Sequence, residues 1–265
     1  MLDTVYFARH GFRMSTEHFS TVGMQLARDP PLTAHGEEQV RDLAAKLASL
    51  PENERPQLVI SSPYTRCIQT ARPSAQALHC ALCIEPGLAE WYPPVPEQER
   101  GKHPSPPSAE HVRKHFAGVS DRWSPVLYPD PRGESIDDLK ARALECLRRI
   151  DARCAEWKVS RVLLVGHAAP GIALGKMLQA DGDIRSARSS DIRAGTASLS
   201  KYVLKDGKWE QVYNGDTSYL PNGSEREWDF SYVPENITES GLRPDWKDPY
   251  APKDAALVFQ RRSHL

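Results

Sequence analysis

The sequence has no excess of charge of either sign and no long apolar run. Its 265 residues include 34 lysines and arginines against 35 aspartates and glutamates, for a formal net charge of −1. General nucleic-acid and membrane-surface binders need a basic excess that neutralises phosphates, so we expect no direct nucleic-acid or membrane partner. No stretch approaches the roughly 18 consecutive apolar residues of a membrane-spanning helix. The opening MLDTVYFARHG also lacks the basic and apolar segments of a secretory signal.

Cysteine is scarce, and its number is odd. The five cysteines are Cys67, Cys80, Cys83, Cys146 and Cys154. Cys80 and Cys83 have the spacing of half a zinc site, but we expect free or buried thiols in a reducing compartment. A chain of this length buries most of its apolar surface without disulfides or metals. These features predict an intracellular protein, cytoplasmic or nuclear.

Apolar runs alternate along the chain with segments of helical periodicity. Strands are predicted at Thr4–Ala8, Gln57–Ile60, Cys83–Glu85 and Arg161–His167, and a hairpin at Ser198–Leu204 and Trp209–Tyr213 around Asp206-Gly207. Helices are predicted after the N-caps Thr33 and Ser135, over Cys67–Ala75 with a bend at Pro73, and through Ile172 and Leu178. This alternation predicts an α/β fold with a mainly parallel sheet and an antiparallel edge hairpin.

A proline-rich stretch and a tail interrupt this pattern. Pro93–Arg132 holds nine of the 22 prolines, and we interpret it as a surface excursion with one short helix near Glu110–His115. Long loops of this kind serve either as lids and specificity elements or as plain insertions. We expect one domain over residues 1–230 and a tail over 231–265, with Trp246 and Tyr250 as its candidate anchors.

Basic side chains follow three of the predicted strands. Arg9 and His10 come after the first strand, Arg66 just past the second, and His167 after the strand that starts at Arg161. Ligands of such sheets bind outside the carboxyl ends of the strands, so these residues should converge in one crevice. Arginine forks match phosphate oxygens, and their charge keeps a neighbouring histidine neutral and nucleophilic. The arrangement points to phosphoryl transfer.

Five motifs in order resemble the histidine phosphatase superfamily, in its phosphoglycerate-mutase-like branch. They are Arg9-His10-Gly11; Pro31-Leu32-Thr33 with Gly36 and Gln39; Ser62-Pro63-Tyr64-Thr65-Arg66 with Thr70-Ala71; Gly133-Glu134-Ser135; and Val165-Gly166-His167. The resemblance implies a three-layer α/β/α sandwich of the phosphoglycerate-mutase type. It also implies that His10 attacks phosphorus and becomes a phosphohistidine, while Arg9, Arg66 and His167 hold the equatorial oxygens.

The resemblance extends to further residues of the site. Arg13 would be an additional phosphate ligand, a feature more typical of phosphatases than of mutases. Glu90 would act as general acid and then general base, with Glu85 as the weaker candidate. Glu134 is expected to cap or orient. No metal or cofactor is required, because arginines supply the positive charge that magnesium provides elsewhere.

A closer likeness links the chain to phosphatase-like subunits of the fungal transcription factor TFIIIC and related cytosolic fungal proteins. It rests on Leu88–Tyr92, on Ser62–Cys67, and on Tyr213–Thr217 leading to Trp228-Asp229-Phe230. Three functions therefore stay open. The first is a phosphatase acting on a phosphorylated small molecule or phosphopeptide. The second is an interaction module of a TFIIIC-like transcription complex that holds a protein partner through its tail. The third is a dehydratase or lyase that reuses the site for a non-phosphorylated metabolite. The terminal Ser263-His264-Leu265 resembles a peroxisomal address.

Overall fold

The computed structural model describes residues 1–14, 29–95, 103, 105–183 and 191–232. Its strands are β1 Thr4–Arg9, β2 Leu58–Ser61, β3 Ala81–Ile84, β4 Arg161–Gly166, β5 Leu199–Lys205 and β6 Lys208–Asp216. Its helices are α1 Ala34–Ala48, α2 Thr65–Ala77, α3 Ala109–His115, α4 Ile136–Glu156 and α5 Ala168–Gln179. Each strand and helix predicted from the sequence is present, with ends that shift by a few residues.

The strands form one sheet in the order β3-β2-β4-β1-β5-β6. The pairs β3/β2, β2/β4 and β4/β1 are parallel, whereas β1/β5 and β5/β6 are antiparallel. Asp206 and Gly207 close the final hairpin with φ values of 51° and 79°. Because both turn residues have positive φ, the turn suits the right-handed twist of the two strands. The mainly parallel sheet with an antiparallel edge hairpin is confirmed.

The central strands bury side chains on both faces, which produces the three layers. In β1, Val5 and Phe7 join a core cluster that contains side chains of α4 and α5. Tyr6 and Ala8 alternate with them and pack in a second cluster with side chains of α1 and α2. Since successive strand residues point to opposite faces, a continuous apolar run is what a strand covered by helices on both sides requires.

Two helix starts follow the predicted caps. The Thr33 hydroxyl accepts a hydrogen bond from the Gly36 amide at the start of α1. At the start of α4, the Ser135 hydroxyl accepts from the Asp138 amide, and the Asp138 carboxylate accepts from the Ser135 amide. This reciprocal arrangement is a capping box, and it fixes where the helix begins.

The proline-rich excursion is anchored more deeply than a surface loop. It contains the expected short helix, α3, but Trp123 is only 1% exposed and lies in the core cluster on the α4 side. The Glu85 carboxylate at the end of β3 accepts a hydrogen bond from the Trp123 indole, which explains the burial of this part of the excursion. Trp246, Tyr250 and Ser263–Leu265 lie outside the described residues. Among the described helices, none combines the length and the apolar character needed to cross a membrane.

Candidate active site

The carboxyl ends of three neighbouring strands bring the two histidines and Arg66 together. His10 follows β1, His167 follows β4, and Arg66 is the second residue of α2, which begins shortly after β2. The two imidazole rings lie edge to face with their centroids 5.5 Å apart. Arg66 Nη2 donates a hydrogen bond of 3.0 Å to His167 Nδ1. The convergence predicted from the strand ends is present in the structure.

The hydrogen bonds of His10 define which of its nitrogens can act. Nδ1 lies 2.8 Å from the Gly11 carbonyl oxygen, which can only accept, so Nδ1 carries the proton. Nε2 therefore keeps a lone pair. The ring is buried, and burial together with the charges of Arg66 and Arg9 holds the pKa of His10 well below its ordinary value. His10 is thus a neutral imidazole with one free basic nitrogen.

His167 is held as the opposite tautomer. Arg66 donates to its Nδ1, so the proton lies on Nε2, which donates a 2.9 Å hydrogen bond to the Ser62 hydroxyl. Burial, then the charges of Arg66 and His10, hold the pKa of His167 well below its ordinary value. The ring is completely buried, and these two hydrogen bonds define its orientation.

Arg9 and Arg66 keep unused donors beside the histidines. Arg9 Nη1 donates to the carbonyl oxygens of Ala194 and Arg226, which holds the guanidinium in place. The Nε–H groups of Arg9 and Arg66 are buried and have no hydrogen-bond partner among the described residues. Burial, reinforced by Arg13 and Arg66 against the opposing effect of Glu90, lowers the pKa of Arg9 to about 10. Concentrated positive charge with unpaired donors is what an anion-binding site provides.

Arg13 lies at the edge of this group. Its backbone pairs with Leu32, and its Nη1 donates to the Met14 carbonyl at 3.1 Å, not to a residue of the crevice. Burial, followed by the charge of Arg66, lowers the pKa of Arg13, as expected for a cation that faces the same charged crevice. The structure therefore brings Arg13 close to the site without a direct contact to His10.

Glu90 and Glu85 occupy different environments. Glu90 Oε2 lies 3.3 Å from His167 Nδ1 and 3.5 Å from Arg66 Nη2, and its side chain is 27% exposed. Glu85 is fully buried, and its carboxylate accepts four hydrogen bonds, from the amides of Gly87, Val126 and Leu127 and from the Trp123 indole. Glu90 therefore lies in the crevice with access to solvent, whereas Glu85 anchors the excursion.

Two motif residues hold the loop that follows His10. The Thr70 hydroxyl accepts from the Gly11 amide at 3.0 Å, and Gln39 Oε1 accepts from the Phe12 amide at 2.9 Å. Gly36 explains another motif position, because a Cβ there would lie 2.1 Å from the Phe12 carbonyl oxygen. These contacts connect the starts of α1 and α2 to the loop and so place His10.

Asp29 is a site residue that the sequence analysis missed. The Asp29 carboxylate accepts from the Thr65 amide at 2.8 and 2.9 Å and from the Thr65 hydroxyl at 2.8 Å, and it lies 3.5 Å from Arg66 Nη1. Tyr64, the N-cap of α2, makes no side-chain capping bond, so Asp29 supplies the cap from 36 residues away in the chain. No local pattern marks such a partner.

A pocket opens beside Glu90. Its empty volume is about 520 Å³ including open solvent, and its lining includes Tyr64, Glu90, Tyr92, Tyr128, Pro129 and Pro131. Tyr128 and the two prolines belong to the excursion. The excursion thus forms part of the wall next to the candidate acid, in keeping with the specificity element considered from the sequence.

Residues with zinc-ligand spacing do not assemble into a metal site in the described part of the chain. Cys80 immediately precedes β3 and Cys83 lies within it, both as free thiols, and His111 and His115 stack on α3 with ring centroids 4.2 Å apart. Within the described ranges, no group of three His, Cys, Asp or Glu side chains is placed to hold a metal ion.

Comparison with known proteins agrees with the motifs. The family described as Histidine phosphatase superfamily (branch 1) matches residues 5–217. The transcription factor tau 55 kDa subunit of Saccharomyces cerevisiae is 30% identical over 276 residues, covering 92% of this chain and 62% of the yeast protein. The chain thus spans less than two thirds of that relative. The probable phosphoglycerate mutase GpmB of Enterobacter sp. is 29% identical over 215 residues, covering 77% of this chain and 86% of the enzyme.

Solved structures share the fold. The ecdysone phosphate phosphatase from Bombix mori aligns with a TM-score of 0.60 at 18% identity, covering 88% of this chain and 100% of that chain. A mycobacterial glucosyl-3-phosphoglycerate phosphatase aligns with a TM-score of 0.52 at 19% identity, covering 80% of this chain and 99% of the other. At these identities the likeness is one of architecture.

Proposed function

Because the chain belongs to the histidine phosphatase superfamily, branch 1, we propose that it hydrolyses phosphomonoesters through a phosphohistidine on His10. The observation that carries the proposal is the state of His10: a buried, neutral ring with Nδ1 protonated and Nε2 free, next to arginine donors that have no partner among the described residues. A basic nitrogen beside an anion-binding group of arginines is suited to in-line attack on a phosphoryl group.

In the first displacement, His10 Nε2 forms a bond to phosphorus while the bond from phosphorus to the leaving oxygen breaks. Arg9 and Arg66 surround the equatorial oxygens, His167 orients Arg66 through its Nδ1, and Arg13 adds positive charge at the edge. The protonated Glu90 carboxyl gives its proton to the leaving oxygen. In the second displacement, water attacks phosphorus, the ionised Glu90 carboxylate takes a water proton, and the bond from Nε2 to phosphorus breaks to release phosphate.

The proposed role of Glu90 favours the pocket beside it as the place of the leaving group. A general acid must lie within reach of the oxygen that it protonates, so the remainder of the substrate extends to the Glu90 side of the phosphoryl group. The pocket beside Glu90 lies there, and its tyrosines and prolines suit the organic part of a phosphorylated small molecule or a phosphopeptide side chain.

Hydrolysis of 4-nitrophenyl phosphate tests the proposal. The wild-type protein should turn over, and His10→Ala should lose about three orders of magnitude or more in kcat, because the covalent route is removed. His115→Ala, a change of an exposed histidine on α3, is the matched control and should retain full activity. If wild type and His10→Ala are equally inert, or equally active, the phosphatase proposal is wrong.

A second candidate function is favoured by the match to the yeast tau 55 kDa subunit, which extends over 92% of this chain. In that case the domain serves as a protein-interaction subunit of a TFIIIC-like complex, and the tail over residues 231–265 holds the partner. Equal inertness of wild type and His10→Ala, with intact folding, is the outcome expected for such a module.

A further inference from the structure

A buried ion pair lies directly behind the segment that carries Glu90. Arg142 of α4 and Glu134 just before α4 are 6% and 4% exposed. Arg142 Nε donates to both oxygens of the Glu134 carboxylate, at 2.7 and 2.9 Å. Arg142 Nη1 donates to the carbonyl oxygens of Gly87 and Ala89, at 2.7 and 3.0 Å. The guanidinium therefore joins one carboxylate to two backbone carbonyls.

The same pair also contacts the chain on the other side of Glu90. The Trp91 indole donates to the Glu134 carbonyl oxygen at 2.7 Å, and the Glu134 amide donates to the Tyr92 carbonyl oxygen at 2.9 Å. Ala89 immediately precedes Glu90 and Trp91 immediately follows it. The chain before the candidate acid is therefore bound to Arg142, and the chain after it is bound to the main chain of Glu134.

The close packing of the glycines makes this connection short. A Cβ at Gly133 would lie 2.1 Å from the Pro93 carbonyl oxygen, and one at Gly87 would lie 2.6 Å from Cys146 Sγ on α4. The segment at residues 87–93 thus packs against the middle of α4 at one end and against the residue Gly133, just before α4, at the other. A displacement of Arg142 or Glu134 would therefore also displace the backbone at Glu90.

Stability alone gives a weak reason for such a pair. Removing two charges from water costs several kcal/mol per ion, and well-packed apolar residues of similar volume are often as stable. What the planar guanidinium provides is geometry, because it binds one carboxylate and two carbonyls at once. Arg142 also contributes to the low pKa of His167, after burial and the charges of Arg66 and His10, so its charge reaches the crevice.

We propose that Glu134 and Arg142 are positioning residues for proton transfer by Glu90. The proposal rests on the function proposed above and assigns this pair to one step of it. In the described part of the chain, neither side chain forms a hydrogen bond or ion pair with His10 or with the Glu90 carboxyl, although Glu134 lines the pocket beside Glu90. Their effect on the rate is exerted through the place that they give to the Glu90 carboxyl next to the leaving oxygen, where small displacements reduce proton transfer.

Leaving-group dependence distinguishes this role from a general contribution to folding. Phenyl phosphate releases a weakly acidic phenol that needs protonation as it leaves, whereas 4-nitrophenyl phosphate releases a stable phenolate that does not. Arg142→Lys keeps the positive charge but loses the planar guanidinium, whose Nε and Nη1 bind the Glu134 carboxylate and the two carbonyls at the same time. Its kcat/KM should fall about 10-fold or more for phenyl phosphate, up to the roughly 10²–10⁴-fold contribution of a general acid, and by less than about 3-fold for 4-nitrophenyl phosphate.

The controls separate the possible results. Arg148→Lys, on the exposed side of the same helix, should change neither rate. Glu134→Gln should reproduce the selective loss, which keeps the test decisive if Arg142→Lys does not fold by circular dichroism. Equal losses for both substrates, or no loss in either, would overturn the positioning role. If Glu90→Gln itself shows no leaving-group dependence, the proposed role of Glu90 fails instead.

Discussion

Replacement of Glu85 by glutamine should destabilise the protein while leaving the reactive groups in place. The two oxygens of Glu85 each accept two hydrogen bonds: Oε1 from the amides of Gly87 and Leu127, and Oε2 from the Val126 amide and the Trp123 indole. A glutamine keeps one accepting oxygen. Its amino group would face two N–H donors, so two bonds are lost and two buried donors lose their partner.

Each buried donor without a partner costs about 1–3 kcal/mol. Two such donors predict a loss of about 2–6 kcal/mol in the free energy of unfolding. Relief of burying a charge opposes this loss, because burial raises the pKa of Glu85 above its ordinary value. We therefore expect a net destabilisation of about 2–4 kcal/mol, which is a large part of the stability of an ordinary domain.

Equilibrium unfolding in urea, followed by tryptophan fluorescence, measures this quantity, since Trp123 is one of the donors. Hydrogen exchange at the Val126 and Leu127 amides should accelerate in parallel. Glu210→Gln is the matched control, because Glu210 forms an exposed ion pair with Lys205 on the edge hairpin. A Glu85→Gln protein as stable as Glu210→Gln would show that the hydrogen bonds to the Glu85 carboxylate do not stabilise the fold.

Three further predictions concern the site and its supports. As pH falls below about 6.5, His10 and His167 become protonated in unfolded chains but stay neutral in the folded protein, so the free energy of unfolding falls by about 1 kcal/mol per histidine per pH unit. Urea unfolding between pH 6.5 and 5.5 should show a smaller fall for His10→Gln than for the wild type. An equal fall in both proteins would contradict this prediction. Gly133→Ala should lower the melting temperature more than Gly118→Ala, because both glycines have positive φ but only a Cβ at residue 133 would meet a carbonyl oxygen. Equal decreases would show that this close contact does not affect stability. Inorganic phosphate should raise the melting temperature of the wild-type protein, and Arg66→Ala should lose most of that increase. The reason is that Arg66 supplies positive charge and a buried N–H without a partner among the described residues. An equal increase in both proteins would contradict an anion-binding site at Arg66.

The fold was predictable because its signals are local. The alternation of Val5, Tyr6, Phe7 and Ala8 between two core clusters is a direct consequence of a strand buried on both faces. Caps such as Ser135 act within three residues, so they can be found in the sequence. The convergence of His10, Arg66 and His167 was also predictable, since parallel strands present their carboxyl ends at one edge.

The supporting residues could not be predicted in the same way, because their partners are distant in sequence. Asp29 caps a helix that begins 36 residues later, and nothing near Asp29 indicates this. One feature of the sequence does indicate Arg142. Its spacing from Leu139 and Cys146 places a charged residue on the apolar face of α4. A buried charge at such a position requires a partner, but the identity of Glu134, Gly87 and Ala89 as partners follows only from the tertiary structure.

Detection of a phosphohistidine on His10 tests the proposed mechanism most directly. In the proposed mechanism Glu90→Gln lacks the base that activates water, so incubation with 4-nitrophenyl phosphate should leave phosphoryl groups on the protein. After an alkaline quench, which preserves phosphohistidine, mass spectrometry of peptides should place one phosphoryl group on His10, and His10→Ala should carry none there. A protein that hydrolyses the ester while His10 stays unmodified, or that is phosphorylated at another residue instead, would contradict the central claim.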